Sequence, residues 1–196
     1  MNLPLPSIIL LLFFPGGLFL IASGLVYQWA DRKLVARFQN RIGPRWFQPL
    51  ADVFKLLSKE EIVPSGAIKG LFHGLPIVAL ASALTAALYV PLAGFNASYS
   101  FQGDLIVVFY LLSVLTICIG LAGANNISRF SIIGATRTLT QIFSYEAPFL
   151  LALLGPAIAA GSWSISEINA YAQENVWMIL AQPIGFVVAL IGLMGK

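Results

Sequence analysis

One acidic residue of this sequence, Glu146, lies inside a long stretch of apolar residues. Counted from the start of that stretch, it is roughly 12 to 15 Å deep at 1.5 Å per helical residue. An ionisable side chain at membrane depth faces a protein interior or a wet cavity and is typical of an ion or proton path. Burial raises the proton affinity of a carboxylate and a nearby arginine lowers it, so the group could load and release protons. The alternative is a carboxyl group that only joins helices by hydrogen bonds.

Three polar residues precede Glu146 at intervals of four: Arg137, Gln141 and Tyr145. On a helix this spacing forms a polar stripe that leads toward the acid. We therefore predict an ion-translocation site made of Arg137, Gln141, Tyr145 and Glu146. A hydrogen-bonded seam between helices would have the same pattern.

The second group of chemically active residues lies in the basic stretch from residue 31 to residue 69, which holds eight of the eleven Lys and Arg residues. Arg32, Arg37, Arg41 and Arg45 recur every four or five residues. On a continuing helix their guanidinium groups would share a broad face and could bind carboxylates of a partner subunit. The alternatives are a helix extension with snorkelling arginines and a basic surface held by anionic lipid.

Composition shows which class of protein carries these groups. With 59% hydrophobic and 10% charged residues, the chain is far from the composition of soluble proteins, of which about a quarter is charged. This composition indicates an integral membrane protein, and we expect no nucleic-acid partner despite the net charge of +3. The one cysteine, Cys118, excludes a cysteine-ligated iron–sulfur cluster within this chain, and no metal-ligand spacing is present.

Continuous apolar runs, each about 20 residues long, predict an all-α polytopic helix bundle. We expect a single membrane domain over residues 1–196, with a retained first helix rather than a cleaved signal. The five predicted spans are 7–29, 74–94, 105–124, 139–160 and 176–195.

Basic residues fall on one side of this topology: in the loop 31–69, in the next loop but one at Arg129 and Arg137, and at Lys196. The positive-inside rule then predicts a multi-pass protein of the cytoplasmic membrane with its N-terminus outside. Asp104, Glu167 and Glu174 fall on the outer side, and we interpret them as solvated charges or charges at the lipid headgroups.

The docking stretch also contains an amphipathic pattern. After the helix-breaking Gly43-Pro44 pair, apolar residues recur at helical spacing from Trp46 to Leu57. This pattern predicts a short helix at the membrane surface, with Trp46 as an interfacial anchor.

Two segments resemble one known family: ARFQNRIGPRWFQPLADVFKLLSKEEIVP and GATRTLTQIFSYEAPFLLALL. They are similar to the membrane subunit that docks the redox arm in complex I, which is the H subunit in bacteria and subunit 1 in mitochondria. They are also similar to its counterpart in energy-converting membrane-bound NiFe hydrogenases. The resemblance covers nearly the whole chain, which would correspond to the N-terminal part of a longer family pattern.

The resemblance implies that residues 31–69 seat peripheral electron-transfer subunits and that Glu146 belongs to a buried acidic route between the redox site and the ion-pumping arm. It implies hydrogenase-like redox subunits on the cytoplasmic side, antiporter-like membrane subunits and lipid as partners. Iron–sulfur clusters and a NiFe centre would reside in those partners, and this chain would bind no cofactor. The resemblance implies that Arg41, Asp52, Lys55 and Glu60 line or support the docking cavity. Together with Arg32, Arg37 and Arg45, which the spacing singles out, they are the predicted docking residues.

The junction between the two parts of the docking motif differs between the two branches of the family. Arg45-Trp46-Phe47 joins the Gly-Pro turn directly to the QPLAD segment, whereas complex I members usually carry several more residues there. This favours a coupling subunit of a complex I-like hydrogenase. The alternatives are the quinone-site subunit of respiratory complex I, in which quinone would bind, and a membrane anchor without a part in ion movement.

Overall fold

The structure is a computed structural model that describes residues 12–13, 16–91, 97–175 and 182–194. These residues form helices joined by short turns and contain no strand, which confirms the all-α prediction for the described part of the chain. The helices are α1 (Gly17–Phe38), α2 (Gln48–Leu57), α3 (Lys69–Tyr89), α4 (Asp104–Ala124), α5 (Arg129–Ala160), α6 (Ile165–Glu174) and α7 (Pro183–Met194).

Three of the described helices, α3, α4 and α5, are long and apolar enough to cross a membrane. At 1.5 Å per residue, the 21 residues of α3 and of α4 extend about 31 Å, close to the thickness of a bilayer's hydrocarbon core. Three of the five predicted spans are thereby confirmed. The predicted spans 7–29 and 176–195 lie partly outside the described residues, and α7 has 12 residues.

Helix α5 corrects one predicted boundary, because it has 32 residues and begins at Arg129 rather than near residue 139. Arg137 is therefore a helical residue, and the connection before α5 is reduced to residues 125–128. Three threonines explain how this polar segment stays helical: each donates its hydroxyl proton to a carbonyl three or four residues earlier. They are Thr136, Thr138 and Thr140. The outer loop predicted near residues 162–175 likewise contains a helix, α6.

The chain forms two compact units, Met1–Ile62 and Val63–Lys196. In the first unit, α1 packs against α2. In the second unit, α4 packs against both α3 and α5, and α7 packs against α5.

Small residues set the spacing and the antiparallel register between α4 and α5. A methyl group built on Gly120 would lie 3.0 Å from Leu139, and one built on Gly123 would lie 3.3 Å from the Cβ of Ala135. Farther along the same seam, the rings of Phe109 and Phe149 stack with centroids 6.0 Å apart. Small side chains that let backbones approach are the usual means of helix association in membranes, where lipid is as apolar as the helices.

Candidate coupling site

The arginines of the docking stretch are divided between a helix and a turn. Helix α1 ends at Phe38, and Asn40 takes a left-handed conformation with φ 55°. The amide of Arg41 donates to the carbonyl of Ala36 at 2.8 Å, and the amide of Asn40 donates to that of Arg37 at 3.1 Å. This is a Schellman ending, which stops a helix and redirects the chain. The four arginines therefore do not lie on one continuing helix, because Arg41 and Arg45 follow the turn.

Contacts with α1 hold the segment after the turn. The indole Nε1 of Trp29 donates to the carbonyl of Pro44 at 3.3 Å, and the ammonium of Lys33 lies 4.6 Å from the centre of the Trp29 ring. A Cβ at Gly43 would lie 3.0 Å from the Cα of Lys33. Glycine at position 43 thus permits the close approach of the turn to the helix.

The turn and the end of α1 enclose an open cavity of about 650 Å³, lined by Lys33, Arg37 and residues 40–45. Four cationic side chains line it, two from the helix and two from the turn: Lys33, Arg37, Arg41 and Arg45. Concentrated positive charge in a concave surface attracts anionic groups, and arginine binds carboxylates with two parallel hydrogen bonds. The structure therefore brings three of the predicted docking arginines together and adds Lys33, which the sequence prediction did not include.

The fourth arginine connects two helices. Arg32 Nη1 on α1 donates to Asp52 Oδ2 on α2 at 2.7 Å, and Gln48 Nε2 donates to the other carboxylate oxygen at 3.5 Å. The hydrogen bond from Arg32 is the main reason that the pKa of Asp52 is lowered, and the positive charge of Lys55 contributes to the same effect. The predicted residues Arg32, Asp52 and Lys55 thus form one charged cluster.

The rest of the docking stretch is exposed. Helix α2 confirms the predicted helix after Gly43-Pro44. Several of its large apolar side chains are exposed, among them Phe54 at 65% and Leu57 at 78%. Trp46, the predicted interfacial anchor, precedes this helix and is 76% exposed. Glu60 follows α2 in an exposed, non-helical segment outside the cavity lining and the Arg32–Asp52 cluster.

Glu146 lies on the packed side of α5. It follows the buried Ile142 by four residues and precedes Phe149, which contacts α4, by three, so the three residues share one helix face. Glu146 is half-buried. Within the described parts of the chain, its carboxylate has no ion-pair or hydrogen-bond partner.

The residues of the predicted polar stripe differ in exposure along α5. Arg137 and Gln141 are exposed, whereas Tyr145 and Glu146 are half-buried. A spacing of four residues exceeds one helical turn by about 40°, so the stripe winds from the open side of α5 toward the seam with α4. The structure therefore separates the four residues into an exposed pair and a seam pair, with about 13 Å from Arg137 to Glu146 along the helix axis.

Asp104 is a buried acid that sequence reasoning placed wrongly among solvated charges. It is the first residue of α4 and has 0% exposure. Its Oδ1 accepts the amide of Ile165 at 2.7 Å, and its Oδ2 accepts the hydroxyls of Ser100 and Ser164 at 3.3 and 3.4 Å. Asp104 thus satisfies a free amide at the start of α6. The sequence around Asp104 gives one local sign of a helix start, an acidic residue directly after a glycine. This sign does not indicate that the carboxylate binds the amide of Ile165, 61 residues away.

Helices of membrane-spanning length define the class of protein: it is a polytopic helical membrane protein, with an acidic residue inside one of its candidate spans. The chain matches the NADH dehydrogenase family over residues 8–196. It therefore belongs to the family of the complex I membrane subunit known as subunit 1 in mitochondria and as the H subunit in bacteria.

Two relatives illustrate the similarity. The chain is 36% identical over 184 residues to the H subunit of NADH-quinone oxidoreductase from Dehalococcoides mccartyi (strain CBDB1), with 91% of this chain and 52% of that protein covered. It is 38% identical over 172 residues to the protein of the same name in Bacillus thuringiensis (strain Al Hakam), with 83% and 50% covered. The chain thus spans about half the length of these relatives.

Proposed function

We propose that this chain is the membrane-embedded coupling subunit of a complex I-like oxidoreductase, docking a peripheral redox module and linking electron transfer to ion translocation. The observation that carries the proposal is Glu146, a half-buried acid on the packed face of a helix long enough to span the membrane. Membership of the complex I subunit 1 family supports the same role.

Docking of the redox module uses the basic cavity on the cytoplasmic side of the membrane. The cavity of about 650 Å³ is lined by four cationic side chains, those of Lys33, Arg37, Arg41 and Arg45. Such a cavity can bind carboxylates of a partner subunit. The Arg32–Asp52 ion pair fixes α2 beside α1 and so supports this surface. Iron–sulfur clusters belong to the partner subunits, and antiporter-like membrane subunits complete the ion path.

Quinone is the electron acceptor that the relatives favour, since both are named as the H subunit of an NADH-quinone oxidoreductase. The second candidate is a hydrogenase-linked complex with a NiFe centre in a partner subunit. One observation favours it: only three residues, 45–47, separate the Gly43-Pro44 turn from the start of α2 at Gln48.

Purification of the complex from its native membrane distinguishes the two candidates. Co-purification with a flavin-containing NADH module, together with turnover that quinone-site inhibitors block, supports the quinone-linked enzyme. Co-purification with a NiFe large subunit and evolution of hydrogen supports the hydrogenase. Isolation of this chain without any redox subunit contradicts the docking role.

The coupling role is tested by Glu146→Gln in the assembled complex, with Glu174→Gln as the control because Glu174 is an exposed acid at the end of α6. We expect Glu146→Gln to assemble and to lose ion translocation, since a neutral amide cannot carry a proton. The control is expected to pump normally. Full coupling in Glu146→Gln would contradict the proposal and would favour a membrane anchor that moves no ions.

A further inference from the structure

The end of the docking stretch is fastened to the connection between α4 and α5 by one side chain. Asn125 Nδ2 donates to the carbonyl of Ile68 at 3.2 Å, and Asn125 Oδ1 accepts the amide of Ile68 at 3.1 Å. The two residues are 57 positions apart in the chain, and Ile68 directly precedes α3. Because a side-chain amide has both donors and an acceptor, Asn125 binds both backbone groups of a single residue.

A packing contact lies beside these hydrogen bonds. A Cβ built on Gly66 would lie 2.5 Å from Cδ1 of Ile127, so the Ile127 side chain occupies the space that a larger residue at position 66 would need. The glycine thereby lets the segment before α3 approach the connection 125–128 closely. We call this contact region the Asn125 joint. It consists of Gly66, Ile68, Asn125 and Ile127.

The connection that carries the joint is short and is tied to α5. Asn125 directly follows the last residue of α4, and α5 begins four residues later at Arg129. The hydroxyl of Ser131, in the first turn of α5, donates to the carbonyl of Gly123, in the last turn of α4, at 2.8 Å. A displacement of Asn125 is therefore passed to the start of α5, the helix that carries Glu146.

The part of α5 between the joint and Glu146 is one uninterrupted helix. Glu146 lies about 26 Å from the first residue of α5 at 1.5 Å per residue. Both prolines of the helix, Pro148 and Pro156, follow Glu146. Since sharp bends in helices occur mainly at proline, the segment that leads to Glu146 moves as one body.

We propose that Asn125 is a positioning residue for Glu146 that acts through α5, an inference that rests on the proposed coupling function. A change in the redox module seated on residues 31–69 displaces the end of that stretch. The Asn125 joint moves the start of α5 with it, and the helix shifts the Glu146 carboxyl group relative to α4. The two hydrogen bonds to Ile68 keep the stretch and the connection together during this movement.

The test compares Asn125→Ala, which removes both hydrogen bonds, with Asn126→Ala in the assembled complex. Asn126 is the matched control, because it is an exposed asparagine in the same connection whose side chain makes no hydrogen bond within the described parts of the chain. Three quantities are measured: retention of the redox module during purification, the rate of electron transfer, and ions moved per electron in sealed vesicles. Glu146→Gln is measured alongside.

We expect Asn125→Ala to retain the redox module and to transfer electrons at the normal rate. Ions moved per electron should fall about fivefold, the factor that corresponds to one ordinary hydrogen bond. Asn126→Ala should leave all three quantities unchanged. Normal translocation in Asn125→Ala, or a parallel loss of all three quantities, would overturn the role of Asn125. Full coupling in Glu146→Gln would instead overturn the proposed function.

A reversible cross-link distinguishes loss of the joint from loss of folding. Gly66→Cys with Ile127→Cys places two thiols at the packing contact, where a Cβ at position 66 lies 3.5 Å from Cγ1 of Ile127, a separation compatible with a disulfide. The chain's own cysteine, Cys118, is buried within α4. In the Asn125→Ala background, we expect oxidation to restore translocation and reduction to remove the gain, while Asn125→Ala alone does not respond to oxidation. A cross-link that forms without restoring translocation would overturn the inference.

Discussion

The guanidinium of Arg32 and the carboxylate of Asp52 form a 2.7 Å ion pair that joins α1 to α2 across 20 residues of sequence. The two side chains are partly exposed to solvent, 42% for Arg32 and 34% for Asp52. The role of the ion pair is therefore to set the direction of α2 rather than to add much stability, since exposed ion pairs contribute little.

The ion pair predicts a dependence of the first unit on acid. A lowered pKa of Asp52 means that the contribution of the pair is fully present above the ordinary value of 3.8 and is lost as the pH falls through the lower value of the folded protein. Spin labels at Leu34 on α1 and Leu57 on α2 are expected to keep one distance at neutral pH and to show a broader distribution once the pH is well below 3.8. A distribution that does not change in acid would contradict this role.

Charge exchange at the same pair predicts a specific rescue. Asp52→Arg places a cation beside Arg32 and should reduce co-purification of the redox module, because α2 loses its anchor. The double variant Arg32→Asp with Asp52→Arg restores opposite charges and should recover part of the co-purification. Equal losses in the single and the double variants would show that Arg32 or Asp52 contacts the partner directly.

Gly43→Ala is predicted to impair docking through the backbone. The added methyl group would lie 3.0 Å from the Cα of Lys33, so the turn has to move away from α1 and the cavity changes shape. Gly24→Ala is the matched control, because nothing lies within 4 Å of its added methyl group and alanine favours a helix by about 0.5–1 kcal/mol. Retention of the redox module during purification is the measurement, and equal retention in the two variants would contradict the role of Gly43.

Neutralisation of the basic cavity is predicted to weaken docking in a salt-dependent way. Arg41→Gln with Arg45→Gln removes two of the four cations, so the redox module should dissociate at lower salt than in the unmodified complex. Lys59→Gln is the control, because Lys59 is exposed and lies outside the cavity lining. A titration with sodium chloride measures the midpoint of dissociation. A midpoint shifted as much by the control as by the double variant would show that general charge, and not the cavity, holds the module.

Asp104→Ala is predicted to destabilise the second unit. The substitution leaves the amide of Ile165 without its acceptor and should cost about 1.5–3 kcal/mol, the range for a hydrogen bond to a charged group. Glu167→Gln, at an exposed position in the first turn of α6, should cost less than about 1 kcal/mol because it alters only the helix-dipole interaction. Thermal unfolding in detergent measures the stability of both variants. An unchanged unfolding midpoint in Asp104→Ala would contradict the stabilising role of the hydrogen bond between Asp104 and Ile165.

Local patterns were sufficient for part of the fold. Long charge-free runs predicted α3 and α4 because apolar length is a property of one segment. The Gly43-Pro44 pair and the spacing of apolar residues from Trp46 to Leu57 predicted α2 in the same way. The start of α5 was missed because the polar segment near Arg137 has the composition of a loop, while its threonines satisfy their hydroxyls within the helix.

The sequence by itself determined that this is a helical membrane protein, that its positive charge is concentrated in residues 31–69, and that one acid, Glu146, stands within a span. Only the tertiary structure decided which of these groups meet. It divided the arginines between the Arg32–Asp52 pair and the cavity, and it buried Asp104 against α6. The physical reason is that composition and periodicity belong to single segments, whereas burial, ion pairs and register depend on packing between segments far apart in the chain.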